Sequence, residues 1–137
     1  MSSLKIFDIA GSGMSAQNSR MNLVASNLAN VDAVSSSTEQ TYRSRQPVFR
    51  AVLDQLNPDS TVATVRMAGV VESQAPLTSE YSPHHPMADE EGYIYRPNVS
   101  PVEEMANMMS ASRSYQNNVE VINAARQMLA ALINLGR

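Results

Sequence analysis

The sequence predicts an α+β chain in which long N- and C-terminal helices pair as an antiparallel coiled coil around a small β-rich central insert. Three observations carry this expectation. All seven prolines, from Pro47 to Pro101, fall in the central stretch; since proline costs about 3 kcal/mol in a helix interior, the two flanks are left free to be helical. Both flanks carry apolar residues at helical spacing. The middle instead holds short β-branched runs next to glycine. The expected divisions are an N-terminal helix within 1–34, the insert over 35–99 and a C-terminal helix within 100–137.

In the first segment Phe7, Met14, Met21 and Leu28 recur every seven residues, with Ala10, Gln17, Val24 and Val31 three positions on. This is the pattern of a coiled-coil seam. Gln17 and the Gly11-Ser12-Gly13 break weaken it, so burial against a partner has to supply the stability.

In the insert, Val62–Met67 and Val70–Glu72 read as short strands beside Gly69, and Gly92–Arg96 as another entering Pro97. Pro47–Leu56 reads as a short helix or an irregular segment, and Ser35-Ser36-Ser37 as a flexible loop. The second helix starts at Ser100 as N-cap, with Pro101 at the first helical position and Glu103 completing a capping box. From there Met105, Met108, Ser112, Tyr115, Val119, Ile122, Arg126, Leu129 and Ile133 alternate at spacings of three and four. A second apolar row of Val121, Ala125, Met128, Leu132 and Leu135 widens the face, and Gly136 supplies a stop. At about 1.5 Å rise per residue, each helix would be roughly 45–50 Å long.

The polar faces of these helices are unusual. The first carries Asn18, Asn22, Ser26, Asn27 and Asn30; the second carries Asn107, Asn117, Asn118 and Asn123. Exposed helix faces ordinarily favour Glu, Lys and Arg, whereas Asn and Ser compete for backbone hydrogen bonds. Formal charges cancel in residues 1–34 and again in 101–137, so the middle carries the whole charge of -3. A polar but uncharged face costs less to desolvate than a charged one, provided its amides find partners. We therefore expect these residues at subunit interfaces; chance composition on an exposed face is the plainer alternative.

Composition narrows the function classes. There is no cysteine, which removes disulfide and thiolate-metal chemistry. A charge of -3 without a basic cluster argues against nucleic-acid binding. No apolar run approaches the roughly 18 residues that span a bilayer, and the first segment does not read as a cleaved signal peptide. His84 and His85 lie near Asp89, Glu90 and Glu91, but adjacent histidines in extended chain point to opposite sides, so a proline-held loop explains them better than a metal site. GxSxG is absent and Gly11-Ser12-Gly13 lacks a phosphate-binding context. Tyr42, Arg43 and Arg45 form a small basic-aromatic spot suited to a surface contact. The methionines read as adaptable packing groups. No catalytic constellation, cofactor site or small-molecule substrate is expected.

Val24–Ala33, with its Ser26-Asn27-Leu28-Ala29-Asn30 core, resembles the signature near the N-terminus of the flagellar axial family, which includes rod and hook proteins. Tyr81, Pro83, His85-Pro86, Ala88-Asp89, Gly92-Tyr93, Arg96–Val99 and Glu103–Met108 resemble the rod branch of that family. So does Ser110–Gln116 followed by Asn118–Val121. The resemblance implies a structural subunit of the proximal rod of the flagellar basal body. Its partners would be other copies of itself, other rod proteins in a helical assembly and, during secretion, the flagellar type III export apparatus. It further implies a place in the periplasm reached without a cleaved leader, and a role transmitting torque around an export channel. A free-standing helical-hairpin adaptor that binds a partner helix is the rival reading of the same residues, and a metal-dependent hydrolase a remote third.

Overall fold

The computed structural model describes residues 3–53 and 63–136. Helix α1 spans Ser3–Ala29, strands β1 and β2 span Arg45–Leu53 and Ala63–Glu72, β3 spans Thr78–Tyr81, β4 spans Tyr93–Arg96, and helix α2 spans Pro101–Leu135. The two helices pack along each other, and α1 also touches both strands of the first hairpin. The architecture is α+β as expected, with two separate two-stranded antiparallel sheets among the described residues.

Helix α1 runs through Gly11-Ser12-Gly13 without a break, because tertiary contacts override the weak propensity of glycine. The Ser12 hydroxyl helps twice: it lies 2.8 Å from the Ile9 carbonyl and accepts the Val65 amide of β2 at 3.2 Å. Gly13 matters for another reason. A Cβ there would lie 3.0 Å from the Asn118 amide nitrogen, so the bare backbone lets α2 come close.

Helix α2 begins as its residues dictate. Ser100 is extended at φ -96°, ψ 111°, its side chain accepts the Glu103 amide, and Pro101 follows. At the other end Gly136 donates to the Leu132 carbonyl with φ -89°, so the stop is reached without the left-handed conformation. With 27 and 35 residues, the helices are roughly 40 and 52 Å long.

The insert departs from expectation at several points. Residues 45–53 form a strand, not a helix. Pro47 is tolerated because β1 pairs with β2 alone, leaving an open edge, and Val48, Phe49 and Val52 favour extended chain. The runs either side of Gly69 are one strand, kinked where Val48 pairs with Gly69 and Phe49 with Met67. That leaves Ala68 as the extra residue of a bulge. The expected extensions to Leu56 and back to Val62 lie outside the described residues. Strand β3, without β-branched bulk apart from Thr78, was not anticipated; it pairs with β4 in register Thr78↔Arg96 to Tyr81↔Tyr93. Gly92 closes this hairpin at φ +85°, where a Cβ would also meet the Tyr81 ring and Pro83. Ser35 is no loose loop: it exchanges backbone hydrogen bonds of 3.0 and 2.9 Å with Tyr95.

The interior is thin. Among the described residues the buried apolar ones are Ala10, Ala16, Val24, Ile94, Ala111 and Ala125, and the largest fully enclosed side chains are Ile94 and Asn27. The accessible surface is 9548 Å², against about 7000 Å² for a compact monomer of this mass.

Polar junction and candidate assembly surface

At the end of α1 the side chains build a hydrogen-bonded junction. Asn27 is 1% exposed. Its Oδ1 accepts the Arg45 amide at 2.9 Å and the Tyr42 hydroxyl at 2.8 Å, while its Nδ2 donates to the Arg45 carbonyl at 2.9 Å. One carboxamide thus serves both backbone groups of Arg45, as a neighbouring strand would, and fastens β1 to the helix. Nδ2 also lies 3.4 Å from the Ser44 hydroxyl. The Ser26 hydroxyl is 3.2 Å from that of Tyr42, and Asn30 Nδ2 donates to the Ser26 carbonyl at 2.8 Å.

A second amide extends the junction. Asn98, three residues before the start of α2, accepts the Ser44 amide at 2.8 Å and donates to the carbonyls of Ser73 and Ala75 at 3.2 and 2.9 Å. Arg43 reaches the same two carbonyls at 3.2 and 3.3 Å. Arg45 pairs with Glu72 at 3.4 Å and lies 5.3 Å from the Tyr42 ring centre. The expected basic-aromatic spot is therefore committed to contacts within the chain. Nothing in composition or periodicity singled out Ser44 or Asn98; a polar residue between two turn-forming segments was the available signal.

The asparagine rows divide. Asn27 is corrected from an interface residue to an internal latch, because its burial and its four close partners leave nothing for a neighbour. Ser26 and Asn30 also spend hydrogen bonds within the chain. Asn107 accepts from Arg20 at 3.1 Å, and Asn118 lies against Gly13. Asn18, Asn22, Asn117 and Asn123 remain exposed.

The helix interface is also rotated from expectation. On α1, Val24 is buried, while Phe7, Met14, Met21, Leu28 and Val31 are half-buried. On α2 the buried residues are Glu104, Ala111 and Ala125, in heptad register with Asn118. Met108, Tyr115, Ile122 and Leu129 flank them half-buried, as does Val119. Met105 and Ile133, placed in the seam by their hydrophobicity, are 56% and 68% exposed. Close approach at Gly13 explains the difference: alanines fit where the backbones nearly touch, and bulkier residues turn outward.

Of the outward residues, Val121, Met128, Leu132 and Leu135 share one face of α2. Met105, Met109, Val121, Met128, Leu132, Ile133 and Leu135 of α2 are all exposed, Leu135 by 83%. Among the described residues none buries Met128, Leu132, Ile133 or Leu135 in the last turns of α2.

In the loop before β4, Asp89 accepts the amides of Tyr93 at 2.8 Å and Glu91 at 3.0 Å, with the Tyr95 hydroxyl at 3.2 Å. The Tyr93 amide, chiefly, holds its carboxyl below the usual carboxylate range, against a smaller opposing effect of burial. The same carboxylate raises the Tyr95 hydroxyl above its ordinary value. His85 accepts the Met87 amide at 3.1 Å. Among the described residues no group of three metal-ligating side chains gathers, and no described helix is long and apolar enough to cross a membrane.

Paired terminal helices thus carry a fastened hairpin and, along α2, a series of exposed apolar side chains. The family described as "Flagella basal body rod protein" matches residues 7–35, and that described as "Flagellar basal body rod FlgEFG protein C-terminal" matches residues 90–135. The chain is 48% identical to the flagellar basal-body rod protein FlgC of Escherichia coli O6:H1 over 137 residues, covering 100% of both chains. It is 47% identical to that of Salmonella typhimurium, again over the full length of both. Against the Aquifex aeolicus protein it is 40% identical over 88% of this chain and 87% of the relative. The chain belongs to the FlgC family of flagellar basal-body rod proteins, a structural family and not an enzyme family.

Proposed function

We propose that this chain is a subunit of the proximal rod. It assembles helically with copies of itself and other rod proteins into the periplasmic shaft that carries torque from motor to hook and encloses the export channel. It reaches that place through the flagellar type III apparatus. The observation that carries this reading is the exposed apolar surface of α2, which a soluble monomer has no reason to keep bare. Near-neutral helix flanks let copies pack side by side without like-charge repulsion. An open helical assembly needs heterologous contacts that do not close on themselves, and torque transfer through it needs no chemistry.

The test separates folding from assembly. Leu132→Asp should leave the thermal midpoint of the purified chain nearly unchanged, since the residue is 65% exposed and such surface changes stay within about 0.5 kcal/mol. The same variant should fail to enter basal bodies and abolish swimming in cells lacking the native subunit. Normal incorporation would contradict the reading.

A further inference from the structure

Among the described residues, two buried side-chain oxygens lack a hydrogen-bond partner, Gln17 Oε1 and Glu104 Oε2. The second belongs to a residue that lines a cleft. Glu104 is 5% exposed and lines a cavity of about 320 Å³ together with Arg20, Arg45, Glu103 and Asn107. Its place in the first turn of α2 favours negative charge but supplies no donor to Oε2. A buried carboxylate oxygen without a hydrogen bond is costly, and the cost is relieved when a donor enters.

The lining defines that donor. Two arginines and two glutamates cancel formally, so a cation meets two guanidinium groups and an anion meets two carboxylates. A neutral group that both donates and accepts suits the cleft best. Arg20 gives one N–H to Asn107, and a guanidinium has five, so donors remain for the guest's carbonyl. A side-chain amide has the required form: its NH₂ donates to Glu104 while its oxygen accepts from arginine. The outer faces of this same chain carry exposed amides at Asn18, Asn22, Asn117 and Asn123, and among the described residues these make no hydrogen bond within the chain.

We infer that the Glu104 cleft receives an asparagine amide from the α1 or α2 outer face of a second copy. This rests on the assembly reading above and adds a residue-level contact to it.

The experiment compares Glu104→Met, which keeps the shape and removes the acceptor, with Glu104→Gln, which keeps one acceptor oxygen. Glu104→Met should leave the thermal midpoint of the soluble chain unchanged or raised. It should lower incorporation into basal bodies roughly tenfold, as expected for one lost hydrogen bond to a charged group, and Glu104→Gln should restore most of it. Incorporation equal to wild type, or a loss that parallels monomer destabilisation, would overturn the inference. Because the chain has no cysteine, contact can be read directly. Glu103→Cys at the cleft mouth is paired in turn with cysteine at position 18, 22, 117 or 123. A disulfide-linked homodimer in purified basal bodies from at least one pair is the expected result, and none from any pair overturns it. Both readouts presuppose wild-type chain in the basal body; its absence would sink the assembly reading itself.

Discussion

The two ends of the helix pair are finished differently. Where α1 ends and α2 begins, asparagines 27 and 98 satisfy backbone groups of the insert, and Glu104 Oε2 is the buried side-chain atom there left without a partner among the described residues. At the opposite end, Met128, Leu132, Ile133 and Leu135 stand in solvent. The first region is closed by the chain's own hydrogen bonds apart from that one oxygen. The second is complete only when something apolar covers it. A subunit of this kind can fix the angle between insert and helices on its own while leaving its strongest adhesive surface for assembly.

The largest effect that sharpens this contrast belongs to Asn27→Ala. Removal of the amide takes the partner from the part-buried N–H and C=O of Arg45 and leaves the Tyr42 hydroxyl with Ser26 alone. With about 1–3 kcal/mol for each buried group left unsatisfied, the chain should lose about 3 kcal/mol or more by urea unfolding. A loss below about 0.5 kcal/mol, the range of ordinary surface changes, would show that the junction does not hold the insert.

Next come the two glycines of α1, which differ only in what faces them. A side chain at Gly13 meets Asn118, whereas nothing lies within 4 Å of Gly11. Gly13→Leu should destabilise the soluble chain by about 2 kcal/mol through overpacking. Gly11→Ala should stabilise it by about 1 kcal/mol through helix propensity. Equal effects at the two sites would mean that the helices do not approach at Gly13.

The smallest effect is in acid. Asp89's folded-state pKa lies below its ordinary value of 3.8. Its contribution is therefore complete above about pH 4 and is lost as pH falls through the lower folded value. Asp89→Asn should flatten the acid limb of a stability–pH curve below about pH 4 while leaving the helix pair's behaviour near neutrality intact. An unchanged acid limb would show that the carboxylate does not hold this loop.

Much of this molecule was legible in its residues. Proline placement separated the helices from the insert, and Ser100-Pro101 marked the start of α2 within a residue. The heptad period was readable, but its phase was not. Hydrophobicity selects Met105 and Ile133, whereas close backbone approach selects Ala111 and Ala125, and that distance depends on Gly13 in the other helix. Strand β1 was obscured by Pro47, which argues against a strand until the open edge is known. The role of Asn27 was hidden most deeply. An asparagine on a polar face looks the same whether it serves a neighbour or Arg45, and only the return of the chain from residue 30 to 45 distinguishes them.

Hydrogen exchange measured on the soluble chain and on intact basal bodies tests the central contrast most directly. Amides in 24–29 and 93–98 should be protected to a similar degree in both states, and those in 121–135 should exchange rapidly in the soluble chain and slowly in the rod. Strong protection of 121–135 in the dilute monomer, or no gain on assembly, would contradict the account.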